Sequence, residues 1–181
     1  MFTVTNHVLD QAEFLESPNF SERPKGLEPS LLVIHNISLP PGKFGGGYIE
    51  DFFQNKLDSS FHPYFKEIIN LKVSSHILID REGKLVQFVE FNKKAWHAGV
   101  SEFQGLKECN DFSIGIELEG TDSEPYSEEQ YSSLINLTQC LQENYPGITK
   151  ERIVGHNDIA PQRKTDPGDS FDWARYKESL A

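Results

Sequence analysis

Leu31-Leu32-Val33-Ile34-His35-Asn36 is the stretch that decides the fold. Four consecutive apolar residues, without the alternation of a half-buried strand, are the pattern of a strand buried on both faces. Such a strand lies inside a sheet covered by further layers. The run stops at His35-Asn36, and Pro40-Pro41-Gly42 then opens a loop. His35 is thereby placed at the carboxyl end of a central strand, where open sheets build their sites.

Working outward, Gly45-Gly46-Gly47 breaks the chain, and Tyr48, Ile49, Phe52, Phe53 and Leu57 recur at helical spacing. This predicts a short helix over 48–57. His62-Pro63-Tyr64-Phe65 opens a second short helix ending near Leu71. Two apolar runs, Val73–Ile79 and Leu85–Val89, flank Asp80-Arg81-Glu82-Gly83 and predict a hairpin. Residues 92–110 read as loop and hold Trp96-His97-Ala98-Gly99. Phe112, Ile114, Ile116 and Leu118 then alternate with Ser113, Gly115, Glu117 and Glu119. That is a strand with Glu117 on the face away from the apolar set.

Ser127-Glu128-Glu129-Gln130 is a capping box, and Tyr131, Leu134, Ile135, Thr138 and Leu141 mark one face of the helix behind it. Tyr145-Pro146-Gly147 stops that helix. A last helix is expected to begin near Asp169 or Ser170 and to run through Trp173 and Tyr176. Residues 1–29, with Pro18, Pro24, Gly26 and Pro29, read as an irregular arm packed on the domain, and residues 30–181 as the domain itself. The expected class is mixed α/β: a single domain with a central mixed β-sheet flanked by α-helices.

The totals agree with one soluble domain: 181 residues, 37% hydrophobic and 25% charged. The formal charge of −11 opposes binding to nucleic acid or anionic lipid, so neither is expected as a partner. No apolar run approaches the ~18 residues of a membrane span. The N-terminus lacks the basic start and apolar core of a signal peptide, and a cytoplasmic location is expected. Cys109 and Cys140 are expected as free thiols.

The chemistry concentrates in Gly155-His156-Asn157-Asp158-Ile159-Ala160-Pro161-Gln162-Arg163-Lys164-Thr165-Asp166-Pro167-Gly168. A short apolar pair, Ile153-Val154, delivers this polar, proline-punctuated loop to one end of the sheet. His156 and Asp166 read as two ligands of one metal, with His35 as the candidate third. Zinc takes histidine nitrogen and carboxylate oxygen, and catalytic sites use three protein ligands plus water. The spacing matches no local zinc motif, and a plainer account stands beside it. A strand-end histidine is often only hydrogen-bonded, and an aspartate before proline is often a turn former. His76, within an apolar strand, reads as a buried, hydrogen-bonded histidine. His62 and His7 read as surface residues.

Leu32-Val33-Ile34-His35-Asn36-Ile37-Ser38, Trp96-His97-Ala98-Gly99, Ser113-Ile114-Gly115-Ile116-Glu117-Leu118 and the 155–168 loop together resemble the zinc-dependent N-acetylmuramoyl-L-alanine amidases. That family is related to a bacteriophage lysozyme-type amidase and to the peptidoglycan recognition proteins. The likeness covers residues 30–176 and lies nearest the cytoplasmic recycling type, which cleaves 1,6-anhydro-muropeptides. It implies one Zn2+ on His35, His156 and Asp166, a catalytic Glu117, and Lys164 two residues before the metal aspartate. The chemistry asks for these types: a carboxylate to take and pass the proton, and a cation for the developing oxyanion. Glu119 points to the same face as Glu117 and is the rival base. Asn36, Trp96, His97 and Arg163 are candidates for binding substrate, with Lys72 and Lys107 as further cations for the carboxylates of a stem peptide. Phe44 and Tyr48 are candidates for the cleft border. The expected partners are small soluble muropeptides, met by a monomer. A non-catalytic peptidoglycan-binding module and an amidase acting on intact wall are the competing readings.

Overall fold

The computed structural model describes residues 2–180. The first segment is not a featureless arm. It forms four short strands, β1 (Val4–Thr5), β2 (Val8–Leu9), β3 (Glu13–Phe14) and β4 (Phe20–Glu22). The long buried strand β5 (Leu31–Ile37) follows. Helices α1 (Tyr48–Phe53) and α2 (Phe65–Ile68) are both shorter than their apolar spacing predicts. A left-handed Asn55 ends the α1 region, and Asp58 caps a turn through the Ser60 amide. These local bonds outcompete helix propagation.

The hairpin forms as β6 (Ile77–Ile79) and β7 (Leu85–Gln87), antiparallel, with Ile79 opposite Leu85. Residues 92–110 are more ordered than a loop: they hold β8 (Lys93–Ala95), β9 (Glu102–Phe103) and β10 (Leu106–Lys107). Strand β8 pairs with β4 of the N-terminal segment, and β9 pairs with β10. Strand β11 (Ser113–Glu119), helix α3 (Glu128–Asn144), strand β12 (Ile153–Gly155), and helices α4 (His156–Ile159) and α5 (Trp173–Glu178) complete the chain. Helix α5 starts later than expected because Asp172 is its N-cap, accepting from the Arg175 amide at 2.9 Å.

Among the described residues six strands form the central sheet, in the order β12-β5-β11-β6-β7-β3. Only β6 and β7 run antiparallel; the other neighbouring pairs are parallel, so the sheet is mixed. β5 and β11 are in register over seven pairs, with Glu117 opposite His35. One face of β11, through Ile114, Ile116 and Leu118, packs into the main core with Tyr131, Leu134, Leu137 and Leu141 of α3. Leu9 of the N-terminal segment is fully buried in the same core. The capping box of α3 docks it: Gln130 completes the box and its Nε2 also donates to the carbonyls of Glu119 and Ile79, at 2.9 and 3.3 Å. Phe52, Phe53, Phe65, Leu78 and Phe88 form a second core beneath α1 and α2 on the other side. No helix among the described residues is long and apolar enough to cross a membrane.

Candidate metal centre

The carboxyl ends of β5 and β12 deliver His35 and His156 to one point, since β12 pairs in parallel with β5. The loop after α4 returns over them and adds Asp166. Its backbone is tied down where the Asn157 amide donates to the Asp166 carbonyl at 3.0 Å. Gly168, at φ +82°, lets that loop pass Asp122; a Cβ there would sit 2.2 Å from the Asp122 Cα.

Three potential ligand atoms converge. His35 Nδ1 lies 2.9 Å from His156 Nδ1, and each lies 3.0 Å from Asp166 Oδ2. Both histidines are buried, at 1% and 3% exposure. Burial drives the His35 pKa down to about 4, against the opposing hydrogen bond to Asp166. Its imidazole is therefore neutral at pH 7, the form that binds metal. Burial pushes the Asp166 carboxyl up, but its hydrogen bonds to His156 and His35 outweigh this and hold it well below the usual carboxylate range. The neutral imidazole of His35, the imidazole of His156 and a carboxylate suit a divalent metal. Donors ~2.0 Å from one tetrahedral zinc lie ~3.3 Å apart, close to the spacing here.

These residues open into a cleft of about 400 Å³, also lined by Glu117, Lys164, Trp96 and His97. Glu117 is 9% exposed, and its Oε2 is buried with no hydrogen-bond partner. The polar face of β11 is thus buried against the site and not solvated. Burial raises the Glu117 pKa well above its ordinary value, the Asp166 charge adds to this, and Lys164 opposes it. A divalent cation would oppose it further. Glu119 is spoken for: Oε1 accepts from the Gly45 amide at 2.5 Å and Oε2 from the Arg81 amide at 3.3 Å.

The other candidates separate. Asn36 lines the cleft, yet its Nδ2 is engaged by Asp122 Oδ1 (2.8 Å) and the Pro167 carbonyl (3.1 Å). Trp96 lines it while donating from Nε1 to Ser21 Oγ at 3.2 Å. His97 sits behind His35, with Nδ1 2.9 Å from His35 Nε2. Arg163 turns to the Ala98 and Val100 carbonyls, at 2.6 and 2.8 Å. Lys72 is exposed beside the cleft, and Lys107 is exposed on β10. Phe44 lies under the Arg81 guanidinium and Tyr48 packs on Phe65; neither borders this cleft. Tyr64, Ile68 and Leu71 instead form an apolar wall. The sequence marks this stretch only as a short helix opened by His62-Pro63-Tyr64-Phe65 and ending near Leu71. His7 is half-buried with Nδ1 2.7 Å from Tyr145 Oη, more enclosed than a surface histidine. Cys109 and Cys140 are buried free thiols.

The N-acetylmuramoyl-L-alanine amidase family matches residues 25–169. The chain belongs to that family. It is 57% identical over 173 residues to the 1,6-anhydro-N-acetylmuramyl-L-alanine amidase AmpD of Haemophilus influenzae, covering 96% of this chain and 94% of that protein. Its fold superposes on the crystal structure of an AmpD derivative with a TM-score of 0.96 at 52% identity, over 98% of this chain and 99% of the other. The amidase AmiD of Escherichia coli, solved with anhydro-N-acetylmuramic acid-L-Ala-D-gamma-Glu-L-Lys, gives a TM-score of 0.62 at 30% identity, over 89% of this chain and 65% of that one.

Proposed function

We propose that this 1,6-anhydro-N-acetylmuramyl-L-alanine amidase of cell-wall recycling works through one zinc ion held by His35, His156 and Asp166. Glu117 carries the proton and Lys164 stabilises the oxyanion. The observation that supports this most directly is the convergence of His35 Nδ1, His156 Nδ1 and Asp166 Oδ2 within 3.0 Å of one another, in the cleft that Glu117 and Lys164 share.

When bound, zinc supplies Lewis acidity and lowers the pKa of a water toward ~7. Glu117 takes the proton of the attacking water and hands it to the L-alanine nitrogen as the amide bond breaks. Its unpartnered Oε2 is free for that work. Lys164 lines the same cleft, and its charge is assigned to the negative charge growing on the lactyl carbonyl oxygen. The products are a sugar with a free lactyl carboxylate and a peptide beginning with L-alanine. The substrate we assign is a small, soluble muropeptide carrying the compact 1,6-anhydro ring, met by a monomer in the cytoplasm.

The test offers purified protein an anhydro-muropeptide with and without a chelator and identifies products by mass. Zinc should restore chelator-treated protein. The anhydro form should exceed its reducing-end counterpart in kcat/KM by ~10–200-fold, the range for modest pocket differences. Equal rates, or faster release of peptide from whole sacculi, would move the assignment to an amidase of the intact wall. Sedimentation and cell fractionation test the monomer and its compartment.

A further inference from the structure

Both ligand imidazoles turn Nδ1 toward Asp166, so what faces their Nε2 atoms decides their tautomers. His156 Nε2 lies 3.0 Å from the Ala98 carbonyl. A carbonyl only accepts, and so does the Asp166 carboxylate 3.0 Å from Nδ1; with a metal on Nδ1, the one proton of the ring sits on Nε2 against the Ala98 carbonyl. Arg163 donates to the same carbonyl at 2.6 Å and to that of Val100 at 2.8 Å, which braces the 98–100 turn.

His35 is held differently. Its Nε2 lies 2.9 Å from His97 Nδ1, and His97 Nε2 lies 3.0 Å from Ser113 Oγ. With His35 Nδ1 as a ligand atom, its proton sits on Nε2 and His97 accepts at Nδ1. His97 then donates from Nε2 to the Ser113 hydroxyl. The ring fits there only because position 115 is glycine: a Cβ would stand 2.5 Å from His97 Cγ. A serine hydroxyl both donates and accepts, so this chain of bonds can run in either direction. Each imidazole carries one proton in both; the Asp166 carboxylate by itself favours a proton on His35 Nδ1, and a metal at that atom selects the other direction.

We propose that His97-Ala98 is the outer shell of the metal centre. His97, anchored on Ser113, is the positioning residue for His35; the Ala98 carbonyl, braced by Arg163, locks His156. The proposal rests on reading His35, His156 and Asp166 as a metal site. It gives His97, at the cleft wall, and Arg163, outside the cleft, work behind the ligands. Outer-shell partners of this kind fix ring orientation, and their loss costs about 10–100-fold in metal affinity.

The experiment measures zinc affinity of the full chain by competition with a chromophoric chelator, and imidazole tautomers by 15N NMR, with unfolding temperatures alongside. His97→Phe should lose about 10–100-fold in zinc affinity. His97→Asn, whose side-chain oxygen reaches the Nδ1 position, should recover most of it. Equal affinity in wild type and His97→Phe would overturn the proposal, as would a loss in His97→Asn as large as in His97→Phe. If His97→Phe does not fold, Ser113→Ala carries the test, and unchanged zinc affinity there overturns the role of His97. Should wild type itself take up no zinc, the metal reading fails, yet the His156 tautomer still decides this inference. His156 should keep its Nε2 proton, held by the Ala98 carbonyl, in metal-free protein, and an Nε2 without a proton there overturns it.

Discussion

Glu117 and Glu119 occupy one face of one strand two residues apart, and both are buried, yet their surroundings are opposite. Glu119 is satisfied at both oxygens by the Gly45 and Arg81 amides, and it ties the triple-glycine loop and the β6–β7 turn to the sheet. Glu117 has a buried oxygen without a partner and shares a cleft with His35, His156, Asp166 and Lys164. A carboxylate whose lone pairs are filled by backbone amides holds structure together. One left unfilled beside a metal site is available for proton transfer.

The largest effect that sharpens this contrast is in turnover. Glu117→Gln should keep its zinc and its unfolding temperature while kcat falls by roughly 10²–10⁴, the usual worth of a general base. Near-normal turnover in that variant, with loss in Glu119→Gln instead, would reverse the roles. Lys164→Ala should cost about 10²–10³ in kcat through the oxyanion. If instead KM rises with kcat unchanged, Lys164 only binds substrate.

Glu119→Gln should act on stability. Its new amide group must face the Gly45 or Arg81 N–H, donor against donor, at about 1–3 kcal/mol. In a chain of this size that lowers the melting temperature by about 2–4 °C per kcal/mol. An unchanged melting temperature would show that those bonds contribute nothing.

The most gradual effect comes from His76, which also packs on this face of β11. Its Nδ1 accepts from the Gly115 amide at 3.0 Å and its Nε2–H donates to the Lys93 carbonyl at 3.1 Å. Burial lowers its pKa to about 3, and the nearby Arg23 charge adds to this. The unfolded chain, with histidine near ~6.5, therefore binds more protons than the folded chain between those values. Stability is full above ~6.5 and is lost as pH falls toward ~3, by at most about 1.4 kcal/mol per pH unit for this group. His35, lowered to about 4, acts in the same direction in metal-free protein. Urea unfolding of the metal-free chain at pH 7, 6 and 5 measures the slope; a flat profile would contradict the buried neutral state.

Much of this protein could be read from local pattern. The apolar run at 31–34 specifies a strand buried on both faces, because only a covered sheet removes four successive apolar side chains from water. Alternation over 112–118 separates the core face of β11 from its polar face, and the capping box marks where α3 begins. The residue types of the proposed metal set, His35, His156 and Asp166, were visible through their motifs. The short helices and the strands within 92–110 were not. At such lengths propensity is weak, and pairing with β4, a segment about 70 residues earlier, decides the outcome.

What only the tertiary structure decided was the partner of each polar group. Period-two alternation gives Glu117 and Glu119 the same direction and so the same standing in sequence. Gly45 and Arg81 single out one of them, from 74 and 38 residues away. His97 and Arg163 carry side chains as suited to a substrate as to a ligand's back. Their hydrogen bonds to His35 and Ala98, across 62 and 65 residues, engage His97, at the cleft wall, and Arg163, outside it, with the backs of the histidines. Local sequence sets which face a side chain points to; which atom meets it there depends on how distant strands and loops close around it.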